Sequence, residues 1–140
     1  MTEKYIVEIL HGTTTWRDFH SKRLHRKNGP AIINDGDELW FKDGKLHRED
    51  GPAIEYADYG TKKWYIEDKL HRKDGPAIEC DDGTKEWYKN GKRHREDGPA
   101  VECSNGPKFW YIDGKKLTEE EFNARNNSCN GKKSMLISVN

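Results

Sequence analysis

Apolar residues are scarce in this chain: 32% of its 140 positions are hydrophobic, 36% are charged, and the mean hydropathy is -1.16. A compact ball of that length buries roughly two thirds of its unfolded surface. This composition fills such a core poorly and suits a thin, elongated sheet better. Net charge is lacking as well. The 25 basic and 25 acidic side chains cancel and alternate along the chain, which argues against a generic polyanion binder, whose footprint is a basic excess. Near the N-terminus only Tyr5 to Leu10 is rich in apolar residues and Glu3 precedes it, so neither a signal peptide nor a membrane span is expected. The cysteines are Cys80, Cys103 and Cys129, an odd number without a CxxC. Cys80 and Cys103 hold the same repeat position, so in a hairpin stack they lie roughly 10 Å apart, beyond the ~7 Å that a disulfide tolerates. Reduced thiols in a cytoplasmic protein are the expectation. Catalytic signatures are missing too: there is no Gly-x-Ser-x-Gly, no Walker-type loop and no HExxH, so no catalytic residue is assigned and no cofactor is called for.

What the chain does have is repetition. One phrase occurs four times: His25-Arg26-Lys27-Asn28-Gly29-Pro30-Ala31, His47-Arg48-Glu49-Asp50-Gly51-Pro52-Ala53, His71-Arg72-Lys73-Asp74-Gly75-Pro76-Ala77 and His94-Arg95-Glu96-Asp97-Gly98-Pro99-Ala100. The histidines stand 22, 24 and 23 residues apart, a period that signals a stacked repeat architecture. A second phrase keeps the same beat. Glycine stands four residues before every tryptophan, at Gly12/Trp16, Gly36/Trp40, Gly60/Trp64, Gly83/Trp87 and Gly106/Trp110. After the last four tryptophans comes a second aromatic, Phe41, Tyr65, Tyr88 or Tyr111, and then a tight turn such as Lys42 to Lys45 or Lys89 to Lys92.

The plan of one unit is clearest from Gly75 to His94. Ala77-Ile78-Glu79-Cys80 alternates as a half-buried strand, Asp81-Asp82-Gly83 turns, Thr84 to Tyr88 returns, and Asn90-Gly91 is a strong hairpin signal. Two short strands for each of five units make an all-β, single-layer antiparallel β-hairpin repeat stack of about ten strands. Regular alternation puts Ile78, Cys80 and Trp87 on one face and Ala77, Glu79 and Tyr88 on the other. Asp68 stands where a turn glycine is expected, which predicts a change of turn type there. Asn34 replaces the residue matched by Tyr56, Cys80 and Cys103 and weakens the core of its unit.

The organisation expected is an N-terminal capping hairpin over 1–24, tandem β-hairpin repeats of about 23 residues over 25–116, and a C-terminal helix and tail over 117–140. Tyr5 to Leu10 and Thr13 to Phe19 read as the two strands of the first cap, turned at His11-Gly12. Where a fifth histidine phrase is due, Thr118 and Glu121 form a capping box. That predicts a short capping helix from about Glu119 to Arg125, with Met135 to Val139 as a last strand or a loose end.

Three candidate sites follow from the repeats. The His and Asp/Asn of each phrase invite a metal reading, but equivalent histidines ~10 Å apart cannot share an ion, so no metal is assigned. The Asp or Asn is expected to cap the turn into Gly-Pro, and the His and Arg to brace one repeat on the next. Arg26, Arg48, Arg72 and Arg95 form a ladder able to bind a small anionic ligand or a nucleic-acid strand, although Glu49, Asp50, Asp74, Glu96 and Asp97 neutralise most of that field and make nucleic acid the lesser partner. Phe41, Tyr65, Tyr88 and Tyr111 form an aromatic row suited to protein contact.

On these residues, the stretch 23–122 resembles a repeat of short proteins of tailed bacteriophages and giant viruses, HRxDGPAxxxxxGxxxWYxxGKxH, closed by a GKxLTxxEF-like segment matched here by Asp113 to Phe122. In period and hairpin layout it is also similar to the MORN repeat, without keeping the MORN glycine spacing. The resemblance implies a MORN-like meander and a non-enzymatic viral accessory protein in the host-cell cytoplasm; with no apolar span in the chain, no membrane partner is expected. By analogy it implies binding, and inhibition, of a host protein or defence complex. The open ends of such a sheet also allow a homodimer through its edges.

Overall fold

The computed structural model describes residues 2–138, the side chains to residue 128. The chain is an antiparallel β-hairpin stack closed by one C-terminal helix. It opens with β1 (Tyr5–Leu10) and β2 (Thr13–Asp18), then β3 (Ile32–Asn34), β4 (Asp37–Leu39), β5 (Phe41–Lys42) and β6 (Lys45–Leu46). The next unit holds β7 (Ile54–Glu55), β8 (Lys62–Lys63), β9 (Tyr65–Ile66) and β10 (Lys69–Leu70), and the one after it β11 (Ile78–Glu79), β12 (Lys85–Glu86), β13 (Tyr88–Lys89) and β14 (Lys92–Arg93). Last come β15 (Val101–Glu102), β16 (Lys108–Ile112), β17 (Lys115–Leu117) and α1 (Glu119–Ser138).

The main sheet has 11 strands in the order β1-β2-β3-β4-β7-β8-β11-β12-β15-β16-β17. The first ten are the five expected hairpins. The three aromatic-plus-turn segments do not extend those strands; they fold as separate two-stranded sheets, β5 with β6, β9 with β10 and β13 with β14. The chain leaves the main sheet at Trp40, Trp64 and Trp87, which lie between strands. Backbone bonds then stack the small hairpins in their own row, from Gly44 N–H to Leu24, Asp68 N–H to Leu46, Gly91 N–H to Leu70 and Gly114 N–H to Arg93 carbonyls, at 2.8 to 2.9 Å.

The expected face assignment is corrected by the register. Ile78 pairs with Glu86 and Glu79 with Lys85, and residues directly opposite share a face. Trp87 therefore sits with Ala77 and Glu79, while Ile78 and Cys80 lie on the other side with Glu86. The cause is the three-residue turn Asp81 to Gly83, closed by the Cys80 N–H bond to the Thr84 carbonyl. An odd loop shifts the parity of the returning strand by one. The turn at Asp68 is a second correction. Glu67 and Asp68 both take positive φ, 47° and 66°, as do Asp43-Gly44 at 51° and 83° and Asn90-Gly91 at 51° and 81°. The turn keeps its type because aspartate tolerates the left-handed region and the Asp68 carboxylate accepts the Leu46 N–H at 2.7 Å.

Very little is buried. Ala31, Ala53, Ala77 and Ala100 are wholly inaccessible, joined by Ile54, Val101 and Phe122; among the described residues no large side chain is fully buried and no polar residue is buried. All five tryptophans are half-buried, so they line a thin core that the alanines fill. The accessible surface, 9717 Å², exceeds the roughly 7,500 Å² of a compact monomer of this mass. At the C-terminal end the Thr118 hydroxyl accepts the Glu121 N–H and the Glu121 carboxylate accepts the Thr118 N–H, both at 3.1 Å. This is the expected capping box. The helix it starts continues past Arg125 to Ser138, so residues 135–138 are helical rather than a strand; Val139 lies outside the described residues. Phe122, 3% exposed, seats α1 on β16 and β17.

Candidate functional site

Each histidine phrase folds into a loop that one arginine holds shut. The Arg72 guanidinium lies 3.9 Å from the centre of the Trp64 ring, donates from Nη1 to the Pro76 carbonyl at 3.0 Å and pairs with Glu79 at 2.8 Å. Arg26 over Trp16, Arg48 over Trp40 and Arg95 over Trp87 repeat the stack at 4.1, 3.7 and 3.8 Å. Their Nη1 atoms donate to the carbonyls of Pro30, Pro52 and Pro99 at 3.0 to 3.1 Å. The tryptophan backbone closes the same knot. The Trp64 N–H bonds the Ala77 carbonyl at 2.8 Å, and its carbonyl accepts the His71 N–H at 3.0 Å. An arginine-on-indole contact contributes about 0.5–2 kcal/mol, repeated here in four successive loops.

Asp50 and Asp97 do not cap the Gly-Pro turn as expected. They instead accept from Nε of Arg48 and Arg95, at 3.0 and 2.9 Å, because the arginine crosses the loop where a capping carboxylate would turn inward. The glycine of the phrase is fixed by that same crossing. A Cβ on Gly29 would lie 2.7 to 2.9 Å from the Arg26 guanidinium, and one on Gly51 2.9 to 3.2 Å from that of Arg48. Gly29→Ala is therefore expected to push Arg26 off Trp16 and to cost about 1–2 kcal/mol. Chemical denaturation checks this, and an unchanged midpoint would show that the guanidinium moves aside freely.

The histidines do brace successive repeats. Nδ1 of His25, His47, His71 and His94 accepts the backbone N–H of Asp43, Glu67, Asn90 and Asp113, in the turn of the following unit, at 3.0 to 3.2 Å. These bonds occupy Nδ1 of each ring and fix its orientation. Among the described residues no three His, Cys, Asp or Glu side chains cluster as a metal group would require.

The four ladder arginines are thus turned toward tryptophan and proline. Arg48, Arg72 and Arg95 also contact carboxylates, whereas Arg26 contacts none among the described residues. Asn28 stands where the other phrases carry Asp, and Ile33 where they carry Glu55, Glu79 and Glu102. Shallow grooves separate successive loops; the first, about 590 Å³, lies between the loops of Arg26 and Arg48 and is lined by Phe41 and Lys42 among others.

The aromatic row is present and regular. The carbonyls of Phe41, Tyr65, Tyr88 and Tyr111 accept the N–H of Arg26, Arg48, Arg72 and Arg95 at 3.1 to 3.4 Å, so each ring is indexed to the loop of the preceding unit. All four side chains are half-buried. Burial, more than the nearby Tyr56 and Asp68, pushes the Tyr65 hydroxyl above its ordinary pKa. Tyr88 is raised by burial and then by Glu86, to which its hydroxyl donates at 3.0 Å. The Arg93 guanidinium lies between Tyr88 and Tyr111, at 5.8 and 5.4 Å from their rings. Cys80 and Cys103 are free and half-buried; burial raises the Cys80 thiol pKa, with Asp82 and Glu86 adding to it.

The arginine-on-tryptophan stacks are what sequence reasoning missed, and they had a signal. Arg48, Arg72 and Arg95 each follow a tryptophan by eight residues, and Trp110 has no such arginine. No protein-family model matches the chain, and no curated protein or solved structure does either. No helix among the described residues is long and apolar enough to cross a membrane.

Proposed function

We propose that the protein is a non-enzymatic binding module that recognises another protein through Phe41, Tyr65, Tyr88 and Tyr111. The observation that carries this reading is the row itself: aromatic rings held half-exposed at one-repeat intervals by backbone bonds to the arginine loops. Rings of this kind, flanked by charge, are the usual anchors of a protein interface. Tyrosine adds a polar tip to an apolar body at little entropic cost. The repeat's resemblance to viral accessory proteins supplies the partner class, a host protein or defence complex that the module binds and inhibits in the cytoplasm.

The test is affinity capture from host-cell extract with wild-type protein and with Tyr65→Ala and Tyr88→Ala as matched baits. A partner retained by wild type and lost at least tenfold from both folded variants is expected. Equal retention by all three baits rules the row out. A second reading, a small anionic ligand or nucleic acid held by the arginine ladder, narrows to Arg26, the rung that contacts no carboxylate among the described residues. Salt-sensitive association, abolished in Arg26→Ala alone among the four, would favour that reading.

A further inference from the structure

The two ends of the main sheet are built differently. At one end α1 covers β16 and β17. At the other, β1 is an open edge that among the described residues pairs only with β2. It is as long as any strand of the sheet, and Val7, Ile9 and Leu10 are 51%, 75% and 67% exposed. Edge strands normally carry lysine, proline or a bulge that blocks further pairing. Tyr5-Ile6-Val7-Glu8-Ile9-Leu10 has no proline and a single charge.

Hairpin geometry decides which backbone groups this edge offers. The two-residue turn His11-Gly12, with φ of 50° and 80°, closes on the Leu10–Thr13 pair. In such a turn that closing pair exchanges hydrogen bonds, and alternate pairs follow it. Leu10, Glu8, Ile6 and Lys4 therefore turn their backbone groups toward β2, as the Phe19 N–H bond to the Lys4 carbonyl at 3.0 Å shows at the far end. Tyr5, Val7 and Ile9 present theirs outward.

We propose that this edge pairs antiparallel with the same edge of a second copy of the chain, joining two 11-stranded sheets into one. Only registers that oppose odd residues to odd residues satisfy the outward groups, and the charges choose among them. With Ile6 opposite Ile6 of the second copy, Tyr5 faces Val7 and Lys4 faces Glu8 twice over. These are the aromatic-to-β-branched and opposite-charge pairs that stabilise sheets. With Glu8 opposite Glu8 like charges meet, and with Val7 opposite Val7 each Glu8 faces Ile6. Neither Lys4 nor Glu8 has an ion-pair partner within its own chain among the described residues, so both are available. The interface is self-complementary, as a two-fold dimer requires. It stands independently of the aromatic row, since it uses none of those four residues.

A strand pair this short falls at the small end of specific interfaces, below about 1,200 Å², and the expected dissociation constant is micromolar. Sedimentation velocity over a concentration series tests it. Wild type is expected to pass from monomer to dimer as concentration rises. Val7→Pro removes one outward N–H and no bond to β2, and is expected to weaken the dimer at least tenfold while circular dichroism and melting stay those of wild type. Lys4→Glu or Glu8→Lys alone is expected to weaken it several-fold, and the double swap to restore it. If Val7→Pro disturbs the hairpin, the charge swaps still decide. A wild type that stays monomeric at the highest concentration, or a Val7→Pro variant that dimerises normally, overturns the proposal. A dimer indifferent to the charge swaps overturns the register.

Discussion

Trp64→Ala and Trp87→Ala are each expected to cost about 3 kcal/mol or more and to lower the melting temperature by about 10 °C or more. The rings are only half-buried, yet each is the point where the chain turns out of the main sheet. Each ring also carries an arginine at 3.9 or 3.8 Å. Truncation removes the ring's packing and leaves Arg72 or Arg95 held only by its proline carbonyl and its carboxylates. The loop that loosens supplies the histidine that the turn of the next unit needs, and in a nearest-neighbour stack such damage spreads along the array. Trp110 provides the internal comparison. It lies inside the unbroken strand β16, opposite Leu117, and no arginine among the described residues stacks on its ring. Trp110→Ala is expected to cost clearly less, and thermal melts of the three variants decide the matter. Equal losses would mean that ring burial alone, and not the arginine clamp, holds the loops.

The hairpins and the start of the C-terminal helix were legible because each rests on local chemistry: turn glycines, period-2 alternation and the Thr118/Glu121 pair act within a few residues. Faces were harder. Whether Trp87 shares a side with Ile78 or with Ala77 depends on whether the intervening turn holds an even or odd number of residues, and Asp81-Asp82-Gly83 closes as three. A one-residue difference inverts every assignment downstream. The break at each tryptophan was hidden for another reason. Glu86-Trp87-Tyr88 reads as one strand, and only the loop that folds back over the indole interrupts it. After Trp110, where that loop is absent, the strand runs on; it also runs on through Trp16 to Asp18, although Arg26 stacks on that ring. The arginine ladder shows the same limit. Its residues were visible, but their destination is a ring and a proline carbonyl in the same unit, set by tertiary folding and not by charge pattern.

Ala77→Leu is the second substitution with a large expected effect. The register that moved Trp87 to the Ala77 face also places Trp64 there, because the Trp64 N–H bonds the Ala77 carbonyl and Ile78 pairs with Lys63. Ala77 thus lies between two tryptophan positions, with none of its surface exposed and its N–H committed to the Glu86 carbonyl at 2.7 Å. The strand cannot shift to make room without breaking bonds on both sides. Extra methylenes must then displace an indole, and with it the stack of Arg72 or Arg95. Overpacking of this kind costs about 1–3 kcal/mol, and the coupled loss of an arginine stack takes the expectation to the upper end of that range. Ala57→Leu, at an exposed position, is the control and is expected to stay within about 0.5 kcal/mol of wild type. Urea titrations compare the two. Were Ala77→Leu to unfold at the wild-type midpoint, the alanines would be spacers in a loose sheet, and the repeat would be held by its loops alone.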